Sequence, residues 1–380
     1  MVEMEKYKLG DICEIVSGST PKTNIDEYWE GTIKWITPAE LNDDTYIITD
    51  SVRKITELAV KKTGLKSFPE GTVILSSRAP IGKVAIAGCE MYCNQGFKNL
   101  ICSKKINNKY LYWFLKGNTV FLNSLGRGAT FKELSKSIVS NIEINLPDIV
   151  YQKKAVETLE KVSEIIALRK RELSSLDDLI KARFVEMFGN PATPGDKFKT
   201  CKLGEVADVK SSHRVFTTEF VAEGVPFYRG TEIGVLASGQ QPEDSYRISM
   251  EHYRKIASDD SKPMRGDLLL PSICNKGQVW MVDTDEPFYY KDGRVLCISP
   301  ERSVFDSRYL QFYMKLRTEA EYPKLGSGST FAEFKIFQLK ELEVDIPPMN
   351  SQKSFDLFAD QVDKSKLYKI STLQFPCIPG

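Results

Sequence analysis

The chain has 380 residues, 42% of them hydrophobic and 27% charged, so its length and composition predict two or three ordinary globular domains. It contains no run of about eighteen apolar residues and no signal-peptide stretch, so we expect a cytoplasmic protein without a membrane span. The formal net charge is +1. Overall charge therefore does not indicate a nucleic-acid ligand, although a local basic face can still bind one.

The first 147 residues predict a small α+β domain. Short β-prone runs occur at 34–36, 72–75 and 83–86, each bounded by Gly, Pro, Asn or Asp. A helical pattern follows at 108–116. Short strands mixed with one helix favour packed layers of both types.

A long helix is predicted next, because no Gly or Pro occurs from Asp148 to Phe188. Its apolar residues fall on alternating steps of three and four, typical of a seam that packs against another helix. They are Leu159, Val162, Ile166, Leu173, Leu176, Ile180 and Met187, with Arg169 and Arg183 in the two gaps. Asp148 can cap the start, and the GNP sequence at 189–191 stops a helix that is about 60 Å long.

The second half of the chain follows the same plan. Strand-like text at 267–270 and 278–281 precedes a helical stretch at 307–316. A second amphipathic helix is predicted from Ser351 to about Gln374. We expect the two long helices to pair, although packing of each helix on its own domain stays open as the alternative.

The two halves also share short sequences. KLGDI at 8–12 returns as KLGEV at 202–206, and LGRGATF at 125–131 returns as LGSGSTF at 325–331. A period this long indicates two copies of one domain rather than a solenoid. Two similar modules suit a ligand with two similar halves, such as duplex DNA with two half-sites.

The residues that carry most enzyme chemistry are sparse. The two histidines, His213 and His252, lie near no hydrolase or metalloprotease motif, and no phosphate-binding or methyltransferase motif occurs. The eight cysteines form no CxxC pair and no zinc site, so we expect reduced free thiols. The chain is therefore expected to hold no catalytic residue, no metal and no cofactor.

In the order of its elements, the chain resembles the specificity subunits of type I restriction-modification enzymes. The resemblance rests on several stretches and covers nearly the whole chain. They are SGSTPK at 17–22, KWITP at 34–38, SRAPIGK at 77–83, NQGF at 94–97, GATFK at 128–132, LP at 146–147, QK at 152–153 and RFVEMFGNP at 183–191.

The resemblance implies two target recognition domains, at 1–147 and 191–348, that each read one half of a bipartite double-stranded DNA site. A spacer helix at 148–190 would pair with a C-terminal helix at 349–376 as an antiparallel coiled coil and set the gap between half-sites. Two methyltransferase subunits carrying S-adenosylmethionine, and restriction subunits, would be the partners. Pro376 departs from the pattern by limiting the second helix.

Candidate DNA contacts lie where the two copies differ. Arg and Lys pair with guanine edges or phosphates, and Asn and Gln with adenine. The candidates are Lys22, Arg78, Lys83, Gln95, Arg214, Arg229, Asn275, Lys276 and Gln278. For each, a solvated or intradomain-paired side chain is the alternative, and Trp35 and Trp280 are expected in the core.

Other functions remain open at this point. The chain can be the specificity chain of another split methyltransferase-nuclease system, or a duplicated scaffold that binds proteins and does not read DNA. A duplicated enzyme with sites between the repeats is disfavoured by the missing catalytic motifs.

Overall fold

The computed structural model describes residues 3–78, 80–128, 132–257, 261–274, 276–325 and 332–371. The chain divides into two compact units, Met1–Arg169 and Lys170–Gly380. Of the helices in the described part, none is long and apolar enough to cross a membrane.

Unit 1 mixes short strands and helices. Its strands are β1 (Glu5–Lys8), β2 (Cys13–Ser17), β3 (Trp29–Ile36), β4 (Ile47–Ile48), β5 (Arg53–Ile55), β6 (Val73–Ser76), β7 (Val84–Ala87), β8 (Tyr92–Cys93), β9 (Phe97–Cys102) and β10 (Glu143–Leu146). Its helices are α1 (Leu9–Ile12), α2 (Glu57–Thr63), α3 (Asn108–Gly117), α4 (Thr119–Leu125), α5 (Lys136–Ser140) and α6 (Ile149–Phe188), the last of which crosses into unit 2.

The main sheet of unit 1 has the strand order β2-β9-β6-β7-β4, beside a smaller β5-β3-β8 sheet and a β1-β10 ribbon. Both faces of β6 are buried: Val73 and Leu75 share a core with Leu111 of α3, whereas Ile74 shares one with Phe68. Because side chains alternate between faces, a strand covered on both sides is apolar throughout. This explains the continuous apolar run that marked β6 in the sequence.

Unit 2 repeats this design. Its strands are β11 (Thr200–Lys202), β12 (Ala207–Lys210), β13 (Phe220–Tyr228), β14 (Tyr246–Ile248), β15 (Leu268–Pro271), β16 (Trp280–Met281), β17 (Tyr289–Tyr290), β18 (Val295–Pro300) and β19 (Glu343–Asp345). Its helices are α7 (Leu203–Val206), α8 (Gly230–Ala237), α9 (Met250–Ile256), α10 (Ser307–Glu321), α11 (Ile336–Lys340) and α12 (Met349–Ser371).

The strand orders of unit 2 are β12-β18-β15-β16, β14-β13-β17 and β11-β19, which match those of unit 1 strand for strand except for β4. Even one irregularity recurs. A Cβ at Gly31 in the bulge of β3 would lie 2.3 Å from the carbonyl oxygen of Ile55, and a Cβ at Gly224 in the bulge of β13 would lie 2.3 Å from that of Ile248. The expectation of two similar α+β domains and long helices is confirmed.

The second half of α6 packs against α12. The Phe184 ring lies 5.1 Å from the Phe355 ring, and Lys366 Nζ lies 2.5 Å from Asp177 Oδ1. The residue nearer the start of α6, Asp177, contacts the residue further along α12, Lys366, so these segments are antiparallel. The predicted pairing is therefore present between residues 177–188 and 355–366.

The apolar residues of the predicted seam in the first half of α6 are more exposed than those in its second half. Leu159, Val162 and Ile166 are 40%, 36% and 46% exposed in the described structure, whereas Ile180 is buried. Residues 372–380, where the predicted C-terminal helix was to end, lie outside the described residues.

The N-terminus of α6 is held by two side chains. The Asp148 carboxylate accepts a hydrogen bond from the Tyr151 backbone N–H at 2.9 Å, as an N-cap residue does. Gln152, which is 1% exposed, lies one turn into the helix. Its Oε1 accepts from Asn107 N at 2.9 Å, and its Nε2 donates to the carbonyl oxygens of Lys105 at 3.1 Å and Pro147 at 2.9 Å.

The same arrangement begins α12. Gln352 is 0% exposed, its Oε1 accepts from Asp306 N at 2.8 Å, and its Nε2 donates to the carbonyl oxygens of Val304 and Pro347, both at 2.9 Å. Each glutamine thus joins the first turn of a long helix, the proline before it and the segment before α3 or α10. We call these two side chains the glutamine clamps.

Gln152→Ala should lower the free energy of unfolding by about 2–3 kcal/mol, because it removes three hydrogen bonds, of which the one to Pro147 O is buried and the other two are partly buried. Urea unfolding followed by circular dichroism measures this loss. Lys153→Ala, at the exposed neighbouring position, is the matched control and should change the stability by less than about 0.5 kcal/mol. Equal losses in the two variants would contradict the clamp.

Candidate nucleic-acid interface

Three loops of unit 1 meet at one edge of its main sheet. β9 is antiparallel to both β2 and β6, so the ends of β2 and β6 lie beside the start of β9. The loops 17–22, 77–83 and 93–96 therefore emerge together. Backbone bonds join them: Ser19 N donates to Cys93 O at 3.0 Å, and Ser77 N donates to Gly96 O at 2.7 Å.

Close packing of these loops requires glycine at one position. A Cβ at Gly18 would lie 2.0 Å from the carbonyl oxygen of Asn94, so any other residue would separate the first and third loops. A hydrogen bond between Thr20 and Gln95 joins the same two loops through their side chains. We call the three loops of unit 1 the first loop edge.

The predicted contacts of unit 1 divide into two groups at this edge. Lys22 and Gln95 are exposed, and the Arg78 side chain is 34% exposed. Lys83 is different, because its Nζ donates to the carbonyl oxygens of Pro38 at 3.1 Å and Leu41 at 2.6 Å. Its ammonium group therefore already has partners within the unit.

Two charged residues that the sequence reasoning missed lie beside Arg78. The Lys98 side chain is 8% exposed, and its Nζ lies 3.2 Å from Glu133 Oε1 and 3.3 Å from Ser77 Oγ. A buried ammonium group requires such a counter-charge. Arg78 Nη1 lies 4.0 Å from Glu133 Oε2, which is too long for a hydrogen bond. The lysine within the buried strand β9 was the available signal.

Unit 2 has an equivalent edge, formed by the loops 211–214, 272–278 and 291–294, which we call the second loop edge. Its frame is hydrogen-bonded like the first, since Ser272 N donates to Arg294 O at 2.9 Å and Gly293 N donates to Ser211 Oγ at 2.9 Å. Phe334 N donates to Ser272 O at 2.7 Å, as Leu134 N donates to Ser77 O at 2.9 Å in unit 1.

The predicted contacts at the second loop edge are also placed unequally. Arg214 is 69% exposed, with its Nε 3.5 Å from Asp292 Oδ2, and Lys276 is exposed. Gln278 is half-buried. Asn275 lies outside the described residues, as do 129–131 and 326–331 of the two repeated glycine turns.

Arg229 is held inside unit 2 by a buried carboxylate. Its Nη2 lies 2.6 Å from Glu232 Oε1 and its Nε lies 3.1 Å from Oε2, while its guanidinium carbon lies 4.7 Å from the centre of the Tyr246 ring. The hydrogen bonds with Glu232 raise the pKa of Arg229. Burial favours the neutral form of Glu232, but the bonds from Arg229 outweigh it and lower the pKa of this carboxyl group.

The stability of unit 2 should therefore fall with acidification. Glu232 has a folded-state pKa below its ordinary value of 4.5, so its contribution is complete above that pH and is lost as the pH falls through the lower folded value. Urea unfolding across this range should show a loss in the native protein that Glu232→Gln does not show. Glu243→Gln, at an exposed glutamate, is the control and should titrate like the native protein. Parallel losses in all three would refute the assignment.

No group of three or more His, Cys, Asp or Glu among the described residues is arranged to hold a metal ion. The two loop edges present hydrogen-bond donors and positively charged side chains from loops that backbone hydrogen bonds hold together. Such surfaces suit a polyanion with edges that accept and donate hydrogen bonds.

Comparisons with known proteins agree with this chemistry. Residues 1–177 match the family described as the type I restriction modification DNA specificity domain. The chain is 40% identical over 195 residues to the type I restriction enzyme MjaIX specificity subunit of Methanocaldococcus jannaschii. The aligned region covers 50% of this chain and 44% of that protein. It is 23% identical to the MjaVIII specificity subunit of the same organism, over 93% of this chain and 84% of that protein. The chain thus spans less than half the length of the first relative.

A solved structure also resembles the whole chain. It comes from a study of complex assembly and conformational transition in the type I R-M system. It covers 98% of this chain and 94% of that chain, with a TM-score of 0.58 and 19% sequence identity. A likeness at this identity establishes the fold.

Proposed function

We propose that the chain is the DNA-recognition subunit of a type I restriction-modification complex, because residues 1–177 match the type I restriction modification DNA specificity domain. Each unit reads one half of a bipartite duplex site through its loop edge. The observation that carries this proposal is the repeated edge itself, in which equivalent backbone frames present different side chains.

The side chains at the two edges suit different base sequences. The first loop edge presents Lys22, Arg78 and Gln95, and the second presents Arg214 and Lys276. Arg and Lys recognise guanine or phosphate, whereas Gln pairs with adenine. Lys83 and Arg229 are not among the proposed base contacts, because their charged groups are already engaged within their units.

We also propose which subunits bind the chain. The chain itself is non-catalytic and holds no cofactor. Two methyltransferase subunits that carry S-adenosylmethionine dock on it, and restriction subunits complete the complex in the cytoplasm. The helix α6, at 40 residues, sets the gap between the half-sites.

Arg78→Ala should weaken binding at the first half-site only, by about 1–3 kcal/mol, because a guanidinium contact is lost from one loop edge. Lys276→Ala should weaken the other half-site only. Fluorescence anisotropy with duplexes that carry one intact and one scrambled half-site measures each effect, at several salt concentrations because phosphate contacts depend on salt.

Lys104→Ala is the matched control, since this exposed lysine lies just beyond the opposite end of β9 and should leave both half-sites unaffected. Equal loss at both half-sites in Arg78→Ala, with an unchanged melting temperature, would refute the assignment of one half-site to each unit. Binding that shows no sequence preference in the native complex would refute the proposed function as a whole.

Seven residues inserted after Glu164, in the exposed middle of α6, should lengthen the gap by about three base pairs, because they add about 10 Å of helix. A heptad nearly preserves the helical face, so the packing of residues 177–188 is retained. Sequencing of methylated sites in a host that carries the variant reads both half-sites and the gap. Altered half-sites with an unchanged gap would contradict the role of α6.

A further inference from the structure

We propose that Cys13 and Cys102 are a thiol-modification site, in which a low-molecular-weight disulfide oxidises the pair to a reversible cross-strand disulfide. This goes beyond DNA recognition and does not depend on it. Both residues lie in unit 1, at the start of β2 and the end of β9.

The sheet register places the two residues directly opposite each other. Ser103 N donates to Ile12 O at 2.9 Å, so the neighbouring residues Ile12 and Ser103 are joined by a hydrogen bond. The Cys13 N–H instead donates to Leu9 O. Hydrogen-bonded and non-hydrogen-bonded pairs alternate along an antiparallel ladder, so Cys13 and Cys102 form a non-hydrogen-bonded pair. Such pairs have Cα atoms about 4.5 Å apart. A disulfide requires a separation of about 4.4–6.8 Å.

The two side chains face each other. Opposite residues of an antiparallel pair project from the same face. Interaction with the neighbouring Cys102 thiol, together with burial, raises the pKa of Cys13. The register therefore presents the two sulfur atoms to each other across neighbouring strands.

Accessibility distinguishes the two thiols. Cys13 is 6% exposed, whereas Cys102 is partly exposed and lines an open cavity of about 350 Å³ together with Ser103 and Lys104. Cys102 is therefore the thiol that meets a reagent from solvent. Cys13 is the resolving thiol beneath it.

The chemistry is thiol–disulfide exchange. The Cys102 thiolate attacks one sulfur of the reagent, forms a mixed disulfide and expels one thiolate. The Cys13 thiolate then attacks the Cys102 sulfur and expels the second thiolate. The protein loses two protons and two electrons, and the reagent is reduced to two thiols.

The second unit lacks this site. Its equivalent register pair is Ala207 and Pro300, which carry no thiol. The disulfide would therefore join β2 to β9 in unit 1 alone. These are the strands whose opposite ends carry the loops 17–22 and 93–96 of the first loop edge.

Incubation of the full chain with oxidised glutathione, followed by alkylation, trypsin and mass spectrometry, tests the proposal. The tryptic fragment 9–22 contains one cysteine, Cys13, and the fragment 99–104 contains one cysteine, Cys102. We expect these fragments joined, with the loss of two hydrogen atoms, and a fall in free thiols from eight to 8 − 2 = 6. Dithiothreitol should restore all eight.

The variants separate the two steps. Cys13→Ser should stop at a glutathione adduct on Cys102, and Cys102→Ser should form no joined fragments. Cys201→Ser, which removes another partly exposed thiol, should behave like the native chain. Formation of the disulfide should accelerate as the pH rises, because the raised pKa of Cys13 keeps its thiolate scarce at neutral pH.

A stable glutathione adduct on Cys102 of the native chain, without joined fragments, would overturn the proposal. So would cross-links of equal yield among the other cysteines. Both results are independent of DNA binding, so they leave the proposed function untouched.

Discussion

A backbone N–H or C=O group that is buried away from water requires a hydrogen-bond partner within the protein. At the start of each long helix, one glutamine side chain forms hydrogen bonds with three backbone groups. Gln152 and Gln352 each join a helix to the proline before it and to the segment that leads into α3 or α10. The direction in which α6 leaves the sheet of unit 1, and α12 that of unit 2, depends on these clamps. A long helix can act as a defined spacer only if its N-terminal end is held in a fixed orientation on the domain.

The loop edges show how one frame supports two different surfaces. At both edges a backbone hydrogen bond joins two of the loops, Ser77 N to Gly96 O in unit 1 and Ser272 N to Arg294 O in unit 2. Backbone bonds do not depend on the identity of the side chain, so the loops can diverge without loss of the frame. Glycine is the exception at Gly18, where a Cβ would collide with the neighbouring loop.

Charge at the edges is arranged by burial. Lys98 with Glu133 and Arg229 with Glu232 form ion pairs in which one partner is buried and the other is partly exposed. Within each pair the two opposite charges largely cancel. The net charge of +1 therefore says little about the ligand, because internal pairs and surface cations count equally in that sum.

The sequence by itself determined the duplication, the strand and helix types and the long helix 149–188, because periodicity, capping residues and Gly or Pro punctuation act locally. It also placed Trp35 and Trp280 correctly in the core. Only the tertiary structure decided that Lys83 is engaged within the unit and that Lys98 lies beneath Arg78. It alone brought Cys13 to Cys102, since strand pairing joins residues distant in the chain and no local pattern records which partner a side chain meets.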